Sequence, residues 1–319
     1  MSSPKKREPK SAICVTCGEQ SENHHGMAMQ GDGLAARGFS VGRLRQVGSA
    51  FEAMGGVAEL IDMKEMAALT AEECEGVENA AVLVLRDGVD ILLGNVCRAK
   101  IGELQPGEGW SDAECAAIAS VMAEKACAKA MMKELTSFEW DKTYWDVRRG
   151  KELNKRARWN VCFGEGGQKA DMELRKGTIV AYSDVPLLAA WKAEMQRLCG
   201  EEHWEAEGNY YYDIHKCYIG YHGDAERKKV VAASLCTEGE VRELNWNWFR
   251  DSKPFGKRIR LQLRSGDCYI MSEKATGYDW RKTVKIVEKG GEKVRVRLAT
   301  LRHAAAVPGS KHLKIRGAD

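Results

Sequence analysis

Beyond Leu135 the chain breaks into a succession of short runs in which apolar residues alternate with polar or basic ones. They are ARWNVCF (157–163), GTIVAYSD (177–184), NYYYDIHKCYIGYH (209–222) and KVVAASL (229–235), then RIRLQLRSGDCYIM (258–271), TVKIV (283–287), KVRVRLATLRH (293–303) and HLKIR (312–316). Glycine, aspartate and serine separate them. A period of two over four to eight residues is the signature of a half-buried strand, and turn residues at close intervals mark reversals between strands. One helical segment interrupts them, PLLAAWKAEMQRLCG (186–200), which ends in a glycine suited to a left-handed C-cap. Many short strands behind a few helices predict an α+β protein whose C-terminal part, residues 136–319, is a double-sheet jelly roll with supporting helices.

The preceding residues read differently. Residues 1–12 form a basic, proline-containing tail. Its KKREPK run has the composition of a nuclear import signal and equally that of a solvated tail. Residues 13–135 read as a small α/β accessory unit. Ser40 caps a helix through VGRLRQVGSAFEAMG that stops at Gly55-Gly56. Two apolar runs flank Asp87-Gly88, which predicts a hairpin over 80–94. Ser111 and Glu114 form a capping box for a helix running to Leu135, with Ile118, Met122, Ala126 and Ala130 on its buried face.

Charge separates the same two parts. Residues 51–135 carry seven Lys and Arg against sixteen Asp and Glu, whereas residues 241–319 carry nineteen against eight. The basic part suits a polyanion such as a nucleic acid; the acidic unit suits a protein partner or the basic part itself. No apolar run is long enough for a membrane span. The scattered, odd-numbered set of eleven cysteines fits free thiols in a reducing compartment, either cytoplasmic or nuclear. Cys14, Cys17, His24 and His25 resemble a zinc half-site, but two adjacent histidines on a short linker do not supply the separated second pair such a site needs.

The chemistry concentrates at His222-Gly223-Asp224. On an extended segment, residues i and i+2 point the same way, so an imidazole and a carboxylate converge. A second histidine from elsewhere would complete a two-histidine, one-carboxylate facial triad for Fe(II), with positions left open for other ligands.

The segment from Asn209 to Asp224, SGDCYIMSEKATGYDW (265–280) and TLRHAA (300–305) together resemble the AlkB-type Fe(II)/2-oxoglutarate dioxygenases over about residues 136–319. The resemblance implies a double-stranded β-helix, 2-oxoglutarate bound by Asn209 and Tyr211, and Gly266-Asp267 leading toward the distal histidine. That histidine is absent from the expected stretch, Tyr278 to Lys282. His303 is therefore assigned as the third ligand, with Lys282 as the competing occupant of its place. The family's terminal arginine motif is also missing. Lys314 and Arg316 follow His303 by 11 and 13 positions and are assigned to the far carboxylate of 2-oxoglutarate, in preference to Lys311.

By the same resemblance, Arg158, Trp159 and Asn160 supply a cation, a stacking surface and an amide near a flipped base. Glu226 and Arg227 line the mouth, while Trp246 and Trp248 in LNWNWFR share a core-facing side. The implied activity is oxidation of a methyl group on a nucleobase of DNA or RNA, leaving it hydroxylated or removing it, with ascorbate as reductant. The alternatives are a hydroxylase of protein side chains or small molecules, and a non-catalytic jelly-roll binding module. Residues 281–299, alternating on both sides of Gly290-Gly291, are expected to close as a basic β-ribbon beside the site.

Overall fold

The computed structural model describes residues 10–103, 124–289, 291–307 and 310–314. In chain order its strands are β1 (Ala12–Gly18), β2 (Ser21–Glu22), β3 (Met29–Gln30), β4 (Val57–Asp62), β5 (Ala81–Arg86) and β6 (Thr143–Asp146). They continue with β7 (Lys151–Asn154), β8 (Trp159–Gly164), β9 (Ile179–Ala181), β10 (Glu205–Tyr211), β11 (Ile219–His222) and β12 (Val230–Cys236). The last are β13 (Val241–Arg250), β14 (Lys253–Arg264), β15 (Cys268–Met271), β16 (Val284–Lys289), β17 (Glu292–Arg297) and β18 (Ala299–Ala305). The longer helices are α1 (Val41–Ala53), α2 (Gly88–Glu103), α3 (Ala128–Leu135) and α4 (Pro186–Cys199).

An eight-stranded sheet, β4-β5-β15-β12-β1-β10-β8-β9, faces a four-stranded sheet, β11-β18-β13-β14. Every pairing in them is antiparallel except β8 with β9. The period of two decides which side each residue serves. On β1, Ile13, Val15 and Cys17 join a core under the helices, with Leu44 and Phe51 of α1 and Trp191 and Met195 of α4. Ala12 and Cys14 face the other way, into a second core between the sheets, with Val230, Trp246, Trp248 and Leu301. Each fully buried large apolar side chain contributes roughly 1.5–3 kcal/mol. The result is three layers, helices over a large sheet over a small one.

The pairings nest outward from the β13–β14 hairpin. β12 pairs with β15, β11 with β18, and β10 with β1. Strands between Glu205 and Ala305 thus alternate between the sheets, while the N-terminal strand β1 fills the place between β10 and β12.

Several expectations hold. Ser40 caps α1 by accepting from the Arg43 amide, and α4 ends on Gly200 in the left-handed conformation. β16 and β17 form the expected ribbon, and Trp246 and Trp248 both point into the inter-sheet core.

Others need correction. The unit expected over residues 13–135 is not separate from the rest of the chain, because β1, β4 and β5 lie in one hydrogen-bonded sheet with β15, β12 and β10. The Asp87-Gly88 turn starts helix α2 rather than a second strand. Val89, Leu92, Leu93 and Cys97 are its buried residues, a helical spacing that outweighs the local turn signal. The Ser111–Glu114 capping box lies outside the described residues; α3 starts at Ala128, with Cys127 as its N-cap. HLKIR is no strand where it is described, since Lys311–Leu313 form a 3-10 turn. Cys14 and Cys17 face opposite sides of β1, so the two thiols do not converge on one zinc ion.

Candidate metal centre and adjoining cavity

His222 ends β11, and His303 sits directly across from it on β18 as its Cα partner. Asp224 follows two residues on, its amide donating to the Thr276 carbonyl at 3.0 Å. Gly223 between them is packed so closely that a Cβ there would lie 2.0 Å from the Gly277 carbonyl oxygen and 2.6 Å from the Trp280 ring. No other residue fits without moving the loop that carries Asp224.

The three side chains converge. Nε2 of His222 and Nε2 of His303 each lie 3.5 Å from Asp224 Oδ1, and candidate ligand atoms of all three fall within 4.8 Å of one another. His303 is 7% and Asp224 8% exposed. Burial alone would raise the Asp224 pKa, but the flanking His303 and His222 outweigh it and hold the carboxyl well below its usual range. Burial lowers the His303 pKa, with partial relief from Asp224. A neutral imidazole and an ionised carboxylate are the forms that ligate a metal.

His222 Nδ1 lies 2.9 Å from the Gly220 carbonyl. Nδ1 therefore carries the proton and donates, which leaves the Nε2 lone pair facing Asp224. The donor set, two imidazole nitrogens and one carboxylate oxygen on one side of a cavity, fits a facial triad for Fe(II). Lys282, the competing third ligand, is exposed, with its ammonium 5.8 Å from the Tyr278 ring.

A cavity of about 740 Å³ opens from this cluster. Asn209 and Tyr211, alternate residues of β10, line it. Asn209 Oδ1 accepts from Arg158 Nε and from Asn160 Nδ2, the latter at 2.7 Å, and its own Nδ2 donates to Glu207 at 3.2 Å. Arg158 lines the cavity and Asn160 is buried behind Asn209. Trp159 points away from both by strand alternation and stacks on Tyr212 at 4.4 Å, so it offers no surface to this cavity.

Glu226 and Arg227 both line the cavity. Arg227 is buried, donates from Nε to the Gln20 carbonyl at 2.6 Å and pairs with Glu207 at 2.7 Å, which ties the loop to the sheet. Burial, and then the charge of Asp224, push the Glu226 carboxyl up to about 7.

The cation assignment is not met. Lys314 is exposed after the terminal 3-10 turn and does not line the cavity, and Arg316 lies outside the described residues. Arg242 of β13 lines it instead. It is 7% exposed, its Nε and Nη2 have no hydrogen-bond partner, and its guanidinium carbon lies 5.9 Å and 5.8 Å from the Tyr211 and Tyr269 rings. The sequence holds a signal for it. Arg242, Leu244, Trp246 and Trp248 occupy alternate positions on one face of β13, so a lone cation heads an otherwise apolar, inward-facing row. Trp280 is a second residue that sequence reasoning misses: it lines the cavity mouth with a buried indole N–H that has no partner.

No protein-family model matches the chain. It is 32% identical over 275 residues to the uncharacterized protein R156 of Acanthamoeba polyphaga mimivirus, covering 86% of this chain and 92% of that protein. Identity at that level along nearly the full length of both places this chain in one family with the mimivirus protein R156.

Proposed function

We propose that the protein is an Fe(II)/2-oxoglutarate-dependent dioxygenase that oxidises a methyl group, on a nucleobase of DNA or RNA. The observation that carries this reading is the convergence of His222, Asp224 and His303 at one end of a cavity whose wall holds a buried, unpartnered arginine. A buried guanidinium without a counter-ion is costly, and a carboxylate ligand relieves it.

The strand order supports the reading. Antiparallel pairs nested about one hairpin, with successive strands alternating between two facing sheets, make the order of a jelly roll. Here β1 occupies the eighth place, next to the first strand of the roll. That accounts for the missing C-terminal arginine motif, because the strand in that place precedes the roll instead of ending it.

Iron with 2-oxoglutarate and oxygen supplies the oxidising power, 2-oxoglutarate leaving as succinate and carbon dioxide. The chain's residues do the rest. His222, Asp224 and His303 hold the metal on one side only. Arg242 takes the far carboxylate of 2-oxoglutarate, with Tyr211 beside it. Asn209 is fixed by Arg158 and Asn160 and presents its amide to the same cosubstrate. Glu226 and the Trp280 N–H stand at the mouth, where they can meet the polar edge of a base.

Incubating the protein with iron, ascorbate, 2-oxoglutarate and defined methylated oligonucleotides, followed by mass spectrometry of the nucleosides, tests the reading. Loss or hydroxylation of a methyl group, dependent on 2-oxoglutarate, is the expected result. Succinate formation with no nucleoside changed would move the substrate to a protein or small molecule. Failure to bind metal would remove the reading altogether.

A further inference from the structure

A second cleft, of about 850 Å³, adjoins the metal cavity and shares His24 and Arg158 with it. Its walls come from the β6–β7 ribbon and from the segment leading into β8. Arg149, Lys155, Arg156 and Arg158 line it, against one carboxylate, Glu152. Lys155 is buried and its ammonium donates to the Asn23 side chain, which anchors that wall to the chain leaving β2. Arg149 holds only a loose pair, 3.6 Å from Asp146, and the Arg156 side chain has no ion pair among the described residues. The rings of Tyr144 and Tyr218 also line the cleft. Tyr144 is braced by His24 stacked at 3.7 Å, and Tyr218 by His312.

We propose that this cleft binds a segment of single-stranded nucleic acid lying next to the nucleotide held in the metal cavity. Cations in a groove together with aromatic rings fit the phosphates and the base faces of an unpaired strand. The groove opens onto the catalytic cavity, where a base must leave its stack to be reached. The cleft's place beside a target nucleotide rests on the function proposed above; its capacity to bind a strand does not.

Fluorescence anisotropy of a short labelled single strand, titrated with the full chain over roughly 50–200 mM salt, tests this. The wild type is compared with Arg149→Ala/Arg156→Ala. Removing one cation from a phosphate of a single strand flattens the log–log salt dependence by about 0.7, so the double variant should lose about 1.4 and bind roughly 25-fold more weakly near 0.1 M salt. The same strand annealed into a duplex should bind the wild type more weakly than when single. Unchanged affinity and slope in the variant, or a preference for duplex, overturns the assignment. Metal titration of both proteins runs alongside. Metal binding with unchanged strand affinity refutes the cleft alone, whereas absent metal binding refutes the proposed reaction while strand affinity is still read directly.

Discussion

Arg242→Met separates a ligand-binding arginine from a structural one. The substitution keeps most of the stem's volume and removes the guanidinium. In the wild type Nε and Nη2 have no hydrogen-bond partner, so little internal bonding is lost. Replacing a buried charge with an apolar side chain of similar volume is neutral or stabilising, by up to a few kcal/mol. The melting temperature of the ligand-free variant should therefore not fall. Binding of 2-oxoglutarate should suffer, because a hydrogen bond to a charged group contributes about 1.5–3 kcal/mol, or about ten- to a hundred-fold in affinity. A bidentate pair lies at the upper end. The assay is anaerobic calorimetry of 2-oxoglutarate with manganese-loaded protein, beside thermal unfolding of the same samples. Lys314→Ala, altering an exposed cation outside the cavity, should change neither quantity. Unaltered 2-oxoglutarate affinity in Arg242→Met, or equal weakening by Lys314→Ala, would refute the reasoning.

The same geometry sets three further expectations. Truncation after residue 18 removes β1 from between β10 and β12, so the protein should lose its cooperative unfolding transition. A fragment of residues 136–319 should fail to fold for the same reason, read by circular dichroism; a folded, metal-binding fragment would contradict the shared sheet. Burial, then the charge of Lys155, lower the His24 pKa to about 4 from its ordinary 6.5, so its neutral form is favoured in the folded state. That contribution to stability is complete above pH 6.5 and declines as pH falls toward about 4. His24→Gln should flatten this part of the stability–pH curve measured by denaturant titration. Shortening the basic β16–β17 ribbon should weaken oligonucleotide binding and reduce its salt dependence, with 2-oxoglutarate affinity unchanged, as anisotropy and calorimetry would report.

The residues differ in how openly the sequence displays them, and the difference is one of range. His222 and Asp224 are two positions apart, and strand alternation alone puts them on one side. His303 lies far along the chain and is reached only by elimination; its register opposite His222 depends on pairing between β11 and β18, which leaves no local trace. The place of β1 is hidden for the same reason. AICVTCG reads as an ordinary short strand, and nothing within it announces partners beyond residue 200. The cation is lost to view with it: a basic residue sought after His303 lands on Lys314, whereas the buried one stands on β13, well before that histidine. Asp87-Gly88 misleads in the opposite way, since a local turn signal fits a strand-to-helix reversal as well as a hairpin. Asp87 adopts a positive φ of 50° at that reversal.

The metal content of four proteins tests the central claim most directly. Anaerobic titration with Fe(II) should give one ion per chain for the wild type and none held by His222→Ala, Asp224→Ala or His303→Ala, since each removes one of only three protein ligands. Lys282→Ala should bind like the wild type. Iron retained at full stoichiometry by any of the three ligand variants, or no iron bound by the wild type, would contradict the account.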